Sequence, residues 1–210
     1  MKLEPRGWAF WSEEEREMWN SMAPSLLNLI LTGGERGAAL LPVGLQSLIS
    51  WEVFNQAAID YLHGYRMDVF ANINETTRKK TVAAIDTWIK SGESMPVLQQ
   101  RLSQFILSES RATQIAVTEV TRIYATGNEI AWTTSGVVGR KRWYMAVDER
   151  VCPICAGLHN QEVALQASFY SPFGGGGFPR PPAHVNCRCW IVPVVDETLV
   201  REQIRRMLWT

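Results

Sequence analysis

The chain has 210 residues, with 21 basic and 21 acidic side chains and a formal net charge of zero, so no global field draws it onto nucleic acid or an anionic membrane. Its 46% hydrophobic and 20% charged content is that of a soluble globular protein, which excludes a fibrous or disordered class, and its length suits one large domain or two small ones. Residues 1–15 carry acids and no apolar run, which predicts no secretory leader. The apolar stretch 26–31 is too short to cross a bilayer. Cytosolic synthesis with reduced cysteines is therefore expected.

Ser12 followed by Glu13, Glu14 and Glu15 opens a first helix: a capping hydroxyl, then acids beside the positive end of the dipole. It is expected to run to about Leu31 and to stop at Gly33-Gly34. Nine tryptophans are many for this length. Trp8, Trp11 and Trp19 fall in this early region, where they serve either an interface or a core. A second helix is predicted over 45–70. Asn74 to Thr77 opens a third, with Val82, Ile85, Trp88 and Ile89 on one stripe and Gly92 at its end. Ser94 caps a fourth, carrying Val97, Leu98, Leu102, Phe105 and Ile106. A longer helix starts at Ser108 or Ser110 and reaches about Trp132 along Ile115, Val117, Val120, Ile123 and Tyr124, with Gly127 interrupting it.

The pattern changes at Gly136. Residues 141–147 and 188–195 read as strands, and 196–208 as a last amphipathic helix. Between the strands, four glycines at 174–177 and the run Pro179-Arg180-Pro181-Pro182 form a long loop, expected to act as a lid or partner contact. The predicted organisation is an N-terminal helical docking region (1–70), a further helical part (71–135), and a strand and zinc-knuckle module with a C-terminal helix (136–210). The fold class is α+β, a mostly helical body followed by a small zinc-stapled module.

Every cysteine lies in one of two clusters, Cys152-Pro153-Ile154-Cys155 and His184-Val185-Asn186-Cys187-Arg188-Cys189. Two pairs, each with two intervening residues, are what a tetrahedral Zn²⁺ ion takes from two tight knuckles. Cys152, Cys155, His184 and Cys187 are the first choice of ligands. Cys189 rivals Cys187, because positions two apart on a strand face the same side, and His159 is a weaker candidate. The Cys-Pro-x-Cys element also suits a redox pair, but that chemistry does not require three further donors downstream. Four protein ligands leave no position for water, so the ion is expected to be structural. Asp148, Glu149 and Glu162 lie near enough in sequence to act as bases if a ligand were missing. Asp148 more simply bonds the backbone that leads into the knuckle.

Several of these residues carry a family resemblance. The pattern runs Arg111-Ala112-x-x-Ile115-Ala116-x-Thr118-Glu119, then Gly127, Trp132 and Trp143. It continues with Asp148-Glu149-Arg150-Val151-Cys152-Pro153-x-Cys155 and Pro182-x-His184-x-Asn186-Cys187-Arg188-Cys189. In order and spacing it resembles the phage Mu protein F-like family over about 72–195. Val185 stands where that family usually has proline. The resemblance implies a minor head, or head morphogenesis, protein of a tailed phage or prophage. It implies a virion location at the portal vertex or capsid interior, with the host cytoplasm as the place of assembly. It also implies the portal or major capsid protein as partner, a part in head assembly or genome packaging and delivery, and no enzymatic activity. A zinc-dependent enzyme acting on nucleic acid or protein, and a sequence-independent DNA-binding module, stand as alternatives.

Two features outside the cluster carry charge. Glu119 lacks a partner base or nucleophile and is expected to form a helix ion pair with Arg122 or Arg111. The run Arg140-Lys141-Arg142 is a candidate contact for packaged DNA through its phosphates, or else a solvated hairpin.

Overall fold

The computed structural model describes residues 13–65, 80, 83–85, 87, 88, 91, 93–104, 109–148 and 150–209. The helical part consists of α1 (Glu13–Ala39), α2 (Val43–Gln46), α3 (Trp51–Gly64), α4 (Met95–Ser103) and α5 (Glu109–Ser135). After it come β1 (Val138–Tyr144), α6 (Pro153–Leu158), β2 (Glu162–Ala164), β3 (Phe169–Tyr170), β4 (Gly177–Phe178), β5 (Trp190–Val195) and α7 (Glu197–Leu208). The predicted class holds: a helical N-terminal body, a strand-bearing module and a terminal helix.

The long helices α1 and α5 make the largest interface among the described residues, and glycines bring them together. A Cβ on Gly33 would lie 2.4 Å from the Tyr124 carbonyl oxygen, and one on Gly127 would lie 2.2 Å from that of Ile30. The expected stop at Gly33-Gly34 therefore does not occur, and Gly127 does not interrupt α5. Close backbone contact outweighs the roughly 1 kcal/mol that each glycine costs a helix. The Trp132 indole N–H donates to the Gly37 carbonyl at 2.9 Å and pins the crossing from the other side. Trp19, Ile30, Phe54, Leu62, Leu98, Leu102 and Trp132 fill the shared core. Trp19 is thus a packing residue, whereas Trp8 and Trp11 lie outside the described residues.

The helix expected over 45–70 begins later, at Trp51, where Ser50 Oγ accepts the Val53 N–H at 3.4 Å. Residues 66–70 lie outside the described residues, as do Asn74 to Thr77, Val82, Ile89, Gly92, Phe105, Ile106 and Ser108. Of the predicted third stripe, Ile85 is buried, and the Trp88 indole donates to the Ser94 carbonyl at 3.0 Å.

The sheet has the order β2-β1-β5, antiparallel throughout, and β3 pairs with β4 as a separate hairpin. Strand β1 starts at Val138, ahead of the predicted Lys141, and ends at Tyr144. Its alternation turns Lys141 and Trp143 into the core, under α5, and leaves Arg140 exposed. Strand β5 pairs Trp190 with Tyr144 and Val192 with Arg142. It begins two residues later than expected: Arg188 is turned to Asp148 and Cys189 to the cysteine cluster. Asp196 caps α7, accepting the N–H groups of Thr198 (2.8 Å) and Leu199 (3.3 Å). The glycine-rich loop joins β3 to β4, with Gly174, Gly175 and Gly176 at φ of +97°, +100° and +82°, a conformation that side chains other than glycine resist.

Candidate metal centre

The first knuckle is the entry to α6. Cys152 occupies the N-cap position, and its Sγ accepts the Cys155 N–H at 3.4 Å. Pro153 at the first helical position fixes φ without removing a needed donor. The approach is held as the sequence suggests, since Asp148 Oδ1 accepts the Arg150 N–H at 3.0 Å.

The second knuckle precedes β5. The Cys187 N–H donates to the His184 carbonyl at 3.2 Å, and Asn186 takes φ of +64°, which asparagine tolerates better than most residues. Helix α5 holds this turn. The Asn186 N–H donates to Thr118 Oγ1 at 2.8 Å, and Thr121 Oγ1 donates to the Cys187 carbonyl at 3.4 Å. Thr118 is buried, so the Thr118-Glu119 dipeptide connects the helical body to the cysteine cluster.

Chain segments about thirty positions apart in sequence meet here. His184 Nε2 lies 3.1 Å from Cys152 Sγ and 3.0 Å from Cys155 Sγ. Cys155 Sγ lies 3.8 Å from Cys187 Sγ. The donors form two overlapping triplets, Cys152–Cys155–His184 and Cys155–Cys187–Cys189, with the atoms of each within 4.8 Å of one another. Cys155 belongs to both. A cavity of about 20 Å³, lined by these five residues among others, is room for one small body. The imidazole is already oriented, because His184 Nδ1 lies 2.8 Å from the Val185 carbonyl oxygen. A carbonyl can only accept, so Nδ1 carries the proton and Nε2 presents its lone pair to the sulfurs. These Cys/His groups are positioned to hold a metal ion.

The electrostatics fit a cation. Hydrogen bonding to Cys187 and Cys189, with burial, pushes the Cys155 thiol up. Cys187 is held down, first by its bond from Cys155, then by Cys189 and by the backbone N–H groups of Cys189 and Ala183. Left alone, the crowded sulfurs share little negative charge. A divalent ion would let several ionise together. At Cys189 the bond from Cys155 favours the charge, and Cys187 and burial oppose it.

The remaining candidates are placed as follows. His159 lies outside both triplets, with Nδ1 3.4 Å from the Met145 amide nitrogen and its ring edge-on to Tyr144. Glu119 is buried, lies 3.7 Å from Arg122 as expected, and accepts the Tyr65 hydroxyl. Glu162 binds Arg140 at 3.1 Å and Arg142 at 2.6 Å, so it is not a poised base, and both arginines already have a carboxylate. Glu149 lies outside the described residues. Lys141 is a correction to the predicted DNA contact. It is buried at 1% exposure, with Nζ 2.6 Å from Glu129 Oε1 and a bond to the Pro179 carbonyl. Its place on β1 turns it inward, where a phosphate cannot reach it. The sequence reading missed Glu129 and Arg180, which complete this buried ion cluster. It also gave no role to Arg188, which binds Asp148. The alternation of β1 marks Lys141 as inward-facing; nothing local marks its partners.

A family model described as Phage Mu protein F like protein matches residues 79–192. That span contains α4, α5, the sheet strands β1 and β2, and both knuckles. No curated protein and no solved structure matches the chain.

Proposed function

The chain belongs to the phage Mu protein F like family of head morphogenesis proteins, and from that premise we propose that it is a minor capsid protein of a tailed phage or prophage. It acts without catalysis, at the portal vertex or on the capsid interior, and supports head assembly or genome packaging and delivery. The observation that carries this reading is the family match, which covers both knuckles and the helix that grips them. Zn²⁺ bound by Cys152, Cys155, His184 and Cys187 would staple the module; the matched x₂ spacing and the N–H donors on Cys187 support that choice over Cys189.

A structural ion is also supported by what surrounds it. The donor set is sulfur-rich and includes a surplus thiol, so a water would compete poorly for a place in the shell. The carboxylates of Asp148 and Glu162 are engaged by arginines, which leaves them poorly suited to activate one. The portal and major capsid proteins are the proposed partners, docked through the N-terminal helical region.

Purification of assembled heads tests the reading: the protein should co-purify at a fixed low copy number, in contact with one of these partners, and with one zinc per chain. Recovery as a free monomer that turns over a substrate would overturn it. Packaged DNA is a further proposed contact, through Arg140 and Arg142. Reversing both to Glu should lower salt-sensitive DNA retention in the head, and unchanged retention removes that contact.

A further inference from the structure

The metal centre holds one donor too many. A tetrahedral ion uses four ligands, and five donors converge on the site. The fifth is a buried thiol whose sulfur lies within 4.8 Å of both Cys155 and Cys187. It stands across the site from the first knuckle, on the opposite chain segment. We propose that Cys189 is a resolving thiol, and that oxidation replaces the metal staple with a Cys155–Cys189 disulfide between the same two segments. This rests on the metal reading above.

Ligand role and geometry together select the pair: Cys187, 3.8 Å from Cys155, is already a ligand in the metal reading, and Cys189 is the buried thiol left over on the same segment. Cys155 is common to both triplets, so its loss from the shell removes the donor that links them. A bond between Cys152 and Cys155 would stay within one knuckle, and one between Cys187 and Cys189 would span a single intervening residue. Neither would hold the module together. A bond from Cys155 to Cys189 closes the long loop that the ion otherwise closes.

The oxidant is a peroxide. The Cys155 thiolate attacks one peroxide oxygen, giving a sulfenic acid and hydroxide. The Cys189 sulfur then attacks the sulfenic sulfur, and the departing hydroxide takes the Cys189 proton and leaves as water. Each sulfur gives up one electron, the peroxide is reduced to two waters once the first hydroxide is protonated, and the ion passes to solvent with three ligands left behind. A virion leaves a reducing cytosol for an oxidising exterior, and a joint that can be closed by metal or by disulfide holds in both.

The experiment treats zinc-loaded full-length protein with one equivalent of hydrogen peroxide. It follows zinc with a chromogenic chelator and maps disulfides by mass spectrometry without reduction. The expected result is release of one zinc per chain together with a Cys155–Cys189 disulfide, reversed by a thiol reductant. Cys189→Ser should bind zinc at the same stoichiometry yet lose reversibility, with Cys155 driven on to sulfinic acid. A different disulfide in the unmodified protein, or fully reversible release from Cys189→Ser, overturns the proposal. Loss of zinc binding in Cys189→Ser also overturns it, by making Cys189 a ligand. If the unmodified protein never binds zinc, the metal reading fails instead, and this proposal with it.

Discussion

The Arg188 guanidinium grips the Asp148 carboxylate with two prongs, Nη2 to Oδ1 at 2.9 Å and Nη1 to Oδ2. Asp148 lies just before the first knuckle, and Arg188 lies between Cys187 and Cys189. The pair ties the two ligand-bearing segments together from outside the donor set. The Arg188 bond holds the Asp148 carboxyl below its usual range, with help from the Arg150 N–H, so the clamp is fully charged at neutral pH. Asp148→Asn keeps the shape and removes the charge. It should weaken zinc retention about tenfold, the lower end of what groups supporting a metal shell contribute. Competition against a chromogenic chelator reads this directly, and retention within twofold of the parent protein would show that the clamp does not support the shell.

The Lys141–Glu129–Arg180 cluster predicts an asymmetry. Glu129→Gln leaves a buried ammonium without its carboxylate, which costs on the order of 3 kcal/mol. Lys141→Met leaves Glu129 with Arg180, which is partly solvated, and should cost less. Adding Lys141→Met to Glu129→Gln should recover part of the loss, as urea titrations of the three variants would show.

The same lysine sets a dependence on pH. Burial, helped by the nearby Arg180 charge, pushes the Lys141 pKa down against the opposing pull of Glu129. Between the lowered folded value and the unfolded value of about 10.4, the unfolded chain binds more protons, so stability rises with pH across that window. Below the window the full cost persists. Measured against Lys141→Met, which cancels the titration of buried tyrosines, the unmodified protein should gain stability as pH rises toward about 10.5. A flat difference would mean that Lys141 titrates alike in the folded and unfolded chain.

Much of this was legible in the residues themselves. Cysteine spacing placed the two knuckles, and the period of the apolar residues found α4, α5 and α7, because those patterns are written locally. Glycine was misread where its role is not local. Gly33, Gly34 and Gly127 look like helix breakers, and what overrides that is distant: the backbone of a second helix about ninety positions away against Gly33 and Gly127, and the Phe54 ring against Gly34. Lys141 looked like part of a surface charge run, because its acid partner Glu129 lies on another element and the contact exists only after β1 packs beneath α5. Asp148 was expected to bond its local backbone, and it does; the distant Arg188 carries its second role.

Those glycines carry their own prediction. Gly127→Ala puts a methyl 2.2 Å from the Ile30 carbonyl oxygen, and Gly33→Ala puts one 2.4 Å from that of Tyr124. Backbone sits on the far side in both cases, so relief requires moving α1 away from α5. Each substitution should destabilise by about 2–3 kcal/mol, a drop in melting temperature of roughly 5–10 °C for a chain of this size. Gly64→Ala is the control: nothing lies within 4 Å of the added atom, and the helix propensity gained should leave stability equal or slightly higher. Equal melting temperatures for all three would mean that the helices are not in backbone contact.

Removal of the metal should act on part of the molecule. A bound ion would join segments whose own strands are short: β2 has three residues, and β3 and β4 have two each. Zinc in small modules contributes on the order of 10 kcal/mol to folding, more than these strands would supply alone. The α1–α5 crossing, by contrast, is held by the Trp132 bond to Gly37 and the glycine contacts, neither of which involves the donor set. A strong chelator under reducing conditions should therefore abolish amide protection across residues 148–195 while α1 and the half of α5 that crosses it, around Gly127 and Trp132, keep theirs, with most helical circular dichroism retained. The stretch of α5 around Thr118 and Thr121 is the point of transmission, since both residues bond the second knuckle directly; exchange there should quicken without reaching the rate of the module. Global loss of protection would mean that the helices depend on the staple. Unchanged protection from 148 to 195 would mean that the knuckles hold their shape without an ion.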